Sequence, residues 1–268
     1  MSPSEKPLLL TEIVALDAGD VAVLTLDRPE QRNPLDWGTV RELRAALSAV
    51  TAAGARAVIV TGNGPAFSAG GDLKGYLDLY ERPGDFAAFL DDLAGVCDTL
   101  ERGPLPSIAM VNGTCVAGGL ELALSCDLVV LADDARVGDG HLRFGQLPGA
   151  GGSQRLVRAI GPQRAREWLL TGELHTAQVA YAAGLAAAVV PGAELRARTL
   201  ALAQLVCRHS PLALRRAKEL IALAFDTPLD EGLRRERALV HEYATTSFDA
   251  TEGLRAFDER REPRFEGR

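Results

Sequence analysis

Three glycine-rich stretches hold the residues best placed to do chemistry: Gly62-Asn-Gly64-Pro-Ala-Phe-Ser-Ala-Gly70-Gly71-Asp72, Asn112-Gly113-Thr-Cys-Val-Ala-Gly118-Gly119, and Pro148-Gly149-Ala-Gly151-Gly152. None has the G-x-G-x-x-G spacing of a dinucleotide loop, because the sixth position counted from Gly62 is Phe67 and from Gly149 is Gln154. None reads G-x-x-x-x-G-K-[ST] either, so nicotinamide and P-loop nucleotide chemistry lose their main support. A turn needing positive φ explains any one such stretch. Three in succession, each beside a predicted strand, point to more. Without Cβ atoms a ligand can come close to the backbone, and two bare N–H groups, one of them at a helix N-terminus, can hold a developing oxyanion.

The other reactive side chains lack a supporting pattern. Ser68 and Ser153 lie in glycine-rich loops but outside G-x-S-x-G, which argues against a serine-hydrolase triad. Cys97, Cys115, Cys126 and Cys207 form no C-x-x-C pair and have no histidine at zinc-ligand spacing, so they read as free thiols of a reducing compartment, with no metal site. His175, His209 and His241 fall in predicted helices or loops without a motif and read as structural.

The elements that must position the glycine loops are legible from periodicity. Val21 to Asp27 predicts a strand, and the proline-containing stretch after it a loop. Asp36 predicts the cap of a helix whose apolar positions Val40, Leu43, Leu47 and Val50 recur at helical spacing and which ends near Gly54. Ala57 to Gly62 predicts a buried strand. The order then repeats: a helix around Asp85 to Glu101 before a strand from Ser107 to Val111, and a short helix from Gly118 to Ser125 before a strand from Asp127 to Leu131. Alternation of this kind predicts an α/β fold with right-handed crossovers. From about Glu194 the pattern is helical, broken at Pro211 and Pro228. The expected organisation is an α/β core over residues 1–200 and a helical C-terminal region over 201–268.

Composition narrows the function classes. In 268 residues, 47% are hydrophobic and 24% charged, as in ordinary globular chains. Glycine is in excess, 27 of 268 against a background of about 7%. A net charge of −7 argues against a nucleic-acid or anionic-membrane footprint, so an anionic ligand needs a local site. The opening MSPSEKPLLL is too short an apolar run for a secretory signal, and no run approaches the ~18 residues of a spanning helix; a cytoplasmic protein is expected.

Six blocks in order, LDRPEQRNPLD, VIVTGNGPAFSAGGDLK, VNGTCVAGGLELALSCDLVV, LPGAGGSQRL, LTGELHTAQVAYAAGL and FDERREPRFEGR, closely resemble the crotonase superfamily, the enoyl-CoA hydratase/isomerase family. The resemblance runs from about residue 8 to the end. It implies a crotonase-like spiral of repeated ββα-type units and binding of an acyl-CoA thioester. It is less specific for the reaction, since one scaffold serves many chemistries.

Residue by residue, the resemblance implies that the main-chain N–H groups of Gly71 and Gly118 form the oxyanion hole. Because both donors are backbone, Gly71 in place of the alanine of many members is expected to be neutral. Each such donor is worth roughly 2.7–4 kcal/mol in comparable sites. The Ala69 carbonyl is implied to receive the adenine amino group of CoA, with Asp72, Leu73 and Lys74 along the nucleotide path and Arg28 in a similar role. Arg260, Arg261 and Arg264 resemble a tail that packs near a neighbouring subunit's CoA site, although for any one of them a solvated helix face alternating with Asp258, Glu259 and Glu262 is the simpler account. A homotrimer or dimer of trimers is implied, and coenzyme A is part of the substrate, so no separate cofactor is expected.

Hydratases of the family use two acids. The first matches Glu121, one helical turn after Gly118 and on the same face. At the second position, seven residues before Pro148, this sequence departs from the pattern and carries His141. An imidazole there can donate or accept a proton near neutrality. Replacing an anion by imidazole is expected to let Glu121 ionise more readily, and Asp139 would orient the ring if the segment were a regular strand. The acyl pocket is assigned to the stretch from Gly75 to Asp91, whose path the sequence leaves undefined. The leading expectation is hydration of an enoyl-CoA by Glu121 and His141. An isomerase, a hydrolase or C–C bond-cleaving enzyme using the same pair, and a non-catalytic acyl-CoA binder are the alternatives.

Overall fold

Aliphatic, β-branched runs punctuated by glycine build ten strands in two sheets, seen in a computed structural model that describes residues 6–268. The six-stranded sheet has the order β1 (Leu9–Leu16), β2 (Gly19–Leu26), β3 (Ala57–Gly62), β5 (Ser107–Val111), β7 (Leu128–Ala132) and β10 (Ala188–Val190). β1 and β2 form an antiparallel hairpin, and every later pair is parallel. β3 and β5 are buried along their whole length, which is why their sequences are continuous apolar runs rather than alternating ones. The second sheet contains β4 (Ala66–Ser68), β6 (Thr114–Val116), β8 (Arg136–Gly138) and β9 (His175–Thr176).

The two sheets are linked by a repeated turn. β3, β5 and β7 each run on, two or three residues later, into β4, β6 and β8. Gly113 makes one of these corners feasible: a Cβ there would lie 2.2 Å from the Pro65 carbonyl oxygen. The strand pairs with the helices that follow them form the expected spiral of ββα units.

Eleven helices complete the described residues. α1 (Trp37–Ala52) is capped by Asp36, whose carboxylate accepts the Thr39 N–H at 2.8 Å, and it buries Val40, Leu43, Leu47 and Val50. α2 (Leu73–Tyr80) and α3 (Pro83–Arg102) trace the stretch whose path the sequence left undefined. α4 (Gly118–Leu124) is buried from Gly118 to Ala123. α5 (Gly152–Ile160), α6 (Pro162–Thr171) and α7 (Ala177–Ala182) follow, then α8 (Leu195–Cys207), α9 (Pro211–Asp226), α10 (Leu229–Thr246) and α11 (Phe248–Glu259). Pro211 opens α9 and Pro228 caps α10, as breaks should. Residue 200, the expected division, falls inside α8, which packs Leu195, Thr199, Ala203 and Cys207 inward. α9 and α10 bury no residue fully. None of the described helices is long and apolar enough to cross a membrane.

Candidate active site

The site gathers where β4 and β6 end. After β6 the chain turns at Ala117, whose φ of 52° and ψ of −121° lie in a region that L residues rarely adopt. This turn aims the N-terminus of α4 at the loop after β4, so that a Cβ on Gly118 would stand 3.6 Å from the Gly71 nitrogen. Gly118 is the first residue of α4, and its N–H therefore has no intrahelical acceptor. Among the described residues neither the Gly71 nor the Gly118 N–H donates to a main-chain oxygen. The two expected donors thus lie side by side on a cavity of about 360 Å³. Ser68, far from acting as a nucleophile, shapes this loop: it is buried, donates to the Asn33 carbonyl at 2.8 Å and accepts the Gly70 N–H at 3.1 Å.

Glu121 and His141 face the same cavity. Glu121 is only 2% exposed. Its Oε1 accepts the N–H groups of Ala150 and Gly152 at 2.7 and 2.8 Å, so the third glycine stretch serves the carboxylate rather than the thioester. Its Oε2 lies 3.7 Å from His141 Nε2. That is too long for a hydrogen bond. Two groups at this separation leave a position from which one oxygen reaches both at about 2.8 Å. On the other side of the ring, His141 Nδ1 lies 3.0 Å from Oδ2 of the fully buried Asp139. The segment is a turn and not the regular strand on which that contact was conditional. Gly140, at φ 67°, folds Asp139 back so that its Oδ1 also accepts the His141 N–H at 3.2 Å.

These contacts set the proton affinities. Burial raises the pKa of Glu121 above the ordinary carboxylate value, opposed by the Gly152 and Ala150 N–H groups and by His141, while Asp139 adds to the rise. The expectation of easier ionisation is right about the imidazole's own influence, but Asp139 returns a carboxylate to the neighbourhood and burial prevails. For His141, burial disfavours the charged ring, yet the hydrogen bond and charge of Asp139, with the charge of Glu121, hold its pKa above the usual imidazole value.

The far wall of the cavity comes from α2 and α3: Tyr76, Tyr80, Phe86, Leu90 and Leu93. These belong to the Gly75–Asp91 stretch or adjoin it. Two larger surface clefts, of about 490 and 650 Å³, contain neither the glycine donors nor the acid pair. A cavity with converging polar groups and perturbed proton affinities is the better site for chemistry.

The residues expected to meet CoA are not among those that line the cavity. Ala69, Leu73 and Lys74 are exposed, and Asp72 caps α2 by accepting the Lys74 N–H at 3.2 Å. Arg28 is engaged elsewhere: its guanidinium pairs with Asp36 and donates to Gln31. In the tail, Arg261 forms a two-pronged ion pair with Glu252 at 2.6 and 2.9 Å, and Arg264 donates its backbone N–H to the same carboxylate at 2.7 Å. His175 stacks on Trp168 with centroids 4.1 Å apart, and His209 and His241 are exposed, so none of the three joins the site. All four cysteines are free and buried, and burial raises their pKa values.

One expectation needs correction. An alanine at position 71 is not neutral, because its Cβ would lie 1.9 Å from the Tyr76 hydroxyl oxygen and the phenol would have to move. No sequence pattern signals this contact, nor the clamp on Glu121, whose two donors are main-chain N–H groups.

The family model described as enoyl-CoA hydratase/isomerase matches residues 17–268. The 2,3-dehydroadipyl-CoA hydratase of Escherichia coli K12 is 39% identical over 261 residues, covering 97% of this chain and 100% of the relative. An enoyl-CoA isomerase/hydratase of Mycosarcoma maydis is 36% identical over 255 residues, covering 91% and 92%. The crystal structure of enoyl-CoA hydratase from Bacillus anthracis superposes with a TM-score of 0.89 at 34% identity, covering 97% of this chain and 100% of that one. The chain belongs to the enoyl-CoA hydratase/isomerase family.

Proposed function

We propose that this chain is a lyase that adds water across the double bond of an α,β-unsaturated acyl-CoA thioester. The observation that carries the reading is the gap between Glu121 Oε2 and His141 Nε2, which fits one oxygen within hydrogen-bond reach of both, beside the paired donors Gly71 and Gly118. Glu121 Oε2 takes a proton from that water as its oxygen attacks the β-carbon. The displaced electron pair moves to the thioester oxygen, where the Gly71 and Gly118 N–H groups stabilise the enolate. When the enolate collapses, the α-carbon takes its proton from His141 Nε2. Glu121 is then protonated and His141 neutral, and a water between them passes the proton back, restoring the starting state.

The roles of the remaining groups follow. The Ala150 and Gly152 N–H groups fix Oε1 and leave Oε2 for the water. Asp139 holds the His141 ring with Nε2 toward the cavity and supports its charged form. Ala69, Leu73 and Lys74 form the rim along which the CoA nucleotide lies; coenzyme A is part of the substrate, and the steps above call on no other cofactor. The apolar wall from α2 and α3 receives the acyl chain. The chain assembles as a homotrimer or dimer of trimers; Ile221, Phe225, Leu254 and Phe257, each more than half exposed on the C-terminal helices, supply apolar surface for it.

Crotonyl-CoA and longer enoyl-CoAs test the reading through loss of the conjugated-thioester absorbance. Hydration with at least one chain length is expected. No loss at any length, with 3-enoyl-CoA isomers converted instead, would replace hydration by double-bond migration; tight binding without turnover would leave an acyl-CoA binder.

A further inference from the structure

Tyr76 has no part in the steps above, yet its hydroxyl oxygen lies 1.9 Å from the point where a Cβ on Gly71 would stand. It lies on α2, and its ring is wedged among Tyr80, Phe86 and Phe89 with centroid distances of 6.0, 6.1 and 5.8 Å. The phenol oxygen occupies the space that an alanine methyl at position 71 would fill, immediately beside the Gly71 N–H. The hydroxyl of Tyr80, one turn on, is spent on Gln146. That of Tyr76 has no partner among the described residues and opens to the cavity shared by Gly71, Gly118 and Glu121. Burial, and after it the charge of Glu121, push the phenol up to about 12, so at neutral pH the group is a hydrogen-bond donor.

We propose that Tyr76 is a further catalytic residue: its hydroxyl donates a third hydrogen bond to the thioester oxygen, beside the Gly71 and Gly118 N–H groups, and glycine at position 71 is what makes room for it. The aromatic packing fixes the ring, so the donor is in place before charge develops on the oxygen, the condition under which such a donor contributes most. The inference rests on the enolate chemistry proposed above.

Tyr76→Phe keeps the ring packing and removes only the donor. For the enoyl-CoA that the wild type hydrates fastest, kcat is expected to fall on the order of tenfold to a hundredfold while KM changes little, the pattern of an interaction made mainly in the transition state. A second measurement does not depend on hydration. Acetoacetyl-CoA ionises to an enolate with strong near-ultraviolet absorbance, and a third donor raises the enolate fraction of the bound thioester. That fraction is expected to drop in Tyr76→Phe. Gly71→Ala should lower it in the wild-type background, where the methyl meets the phenol, and much less in a Tyr76→Leu background, where the space is free. A wild type that hydrates and ionises these thioesters alongside a Tyr76→Phe variant that does both equally well overturns the role of Tyr76 and leaves the hydratase reading standing. A wild type that hydrates nothing overturns that reading, and the acetoacetyl-CoA measurement then decides Tyr76 alone.

Discussion

Asp139 and His141 are joined twice: Asp139 Oδ2 lies 3.0 Å from His141 Nδ1, and Asp139 Oδ1 accepts the His141 backbone N–H at 3.2 Å. The turn at Gly140 makes both contacts geometrically compatible. Their consequence is directional. With Nδ1–H committed to the carboxylate, the only ring nitrogen left for chemistry is Nε2, which faces Glu121 across 3.7 Å. Where a second carboxylic acid would donate its own proton, the proposed mechanism draws on an imidazole backed by a buried carboxylate.

Asp139→Asn should therefore move the alkaline limb of the kcat/KM profile to lower pH. Asp139 is among the influences that raise the His141 pKa, so removing its charge lets the ring lose its proton earlier. The amide oxygen can still accept the backbone N–H, which keeps the turn. Hydration rates measured from pH 5 to about 10 check this; an alkaline limb that stays in place would separate it from His141.

The wild-type profile itself should be bell-shaped, with both limbs displaced upward. Glu121 must be ionised to take the water proton, and burial raises its pKa, so activity rises at higher pH than an ordinary carboxylate gives. His141 must be charged, and activity falls as pH climbs through its raised pKa. The same sign applies to folding. His141 contributes stability that is fully present below its unfolded pKa of about 6.5 and is lost as pH rises through the higher folded value. In His141→Gln the acid-side gain in melting temperature should shrink and the alkaline limb disappear.

How much of this could be read from the sequence depends on the kind of signal. α1, β3 and β5 were legible because their apolar spacing is long and bounded by caps or glycine. β4, β6 and β8 were not: each is three residues long and sits in or beside a glycine turn, so only the pairing partner defines it. β1 carries mostly exposed residues and lacks a core-facing pattern. In the site, Glu121 and His141 are side chains that the family resemblance singles out, and both face the one cavity. The Ala150 and Gly152 N–H groups leave no side-chain signature, and Tyr76 lies where the backbone path had to be known first.

Ala117→Gly should stabilise the fold. Alanine at φ 52° and ψ −121° bears strain of about 1–3 kcal/mol. Glycine relieves it, at an unfolded-state entropy cost of about 0.4–1 kcal/mol. The net gain is about 1 kcal/mol, readable by urea denaturation. Unchanged or lower stability would mean that the turn before α4 is held without strain.

Glu121→Gln sets function against stability at one position. Buried Glu121 has a raised pKa, so between its unfolded and folded values the native state binds more protons, and ionisation at higher pH subtracts from stability. Glutamine removes that cost and can still accept the Ala150 and Gly152 N–H groups through its carbonyl oxygen. It cannot deprotonate water. The variant is expected to melt higher than wild type at pH 8, with the difference narrowing toward pH 4 as Glu121 protonates. Hydration should fall on the order of 10²–10⁴-fold. Two measurements decide the point, calorimetry across pH and turnover of the preferred enoyl-CoA. Normal turnover would remove Glu121 from the mechanism, and a lower melting temperature at pH 8 would show that its ionised form, held by two N–H groups and facing His141, stabilises the fold.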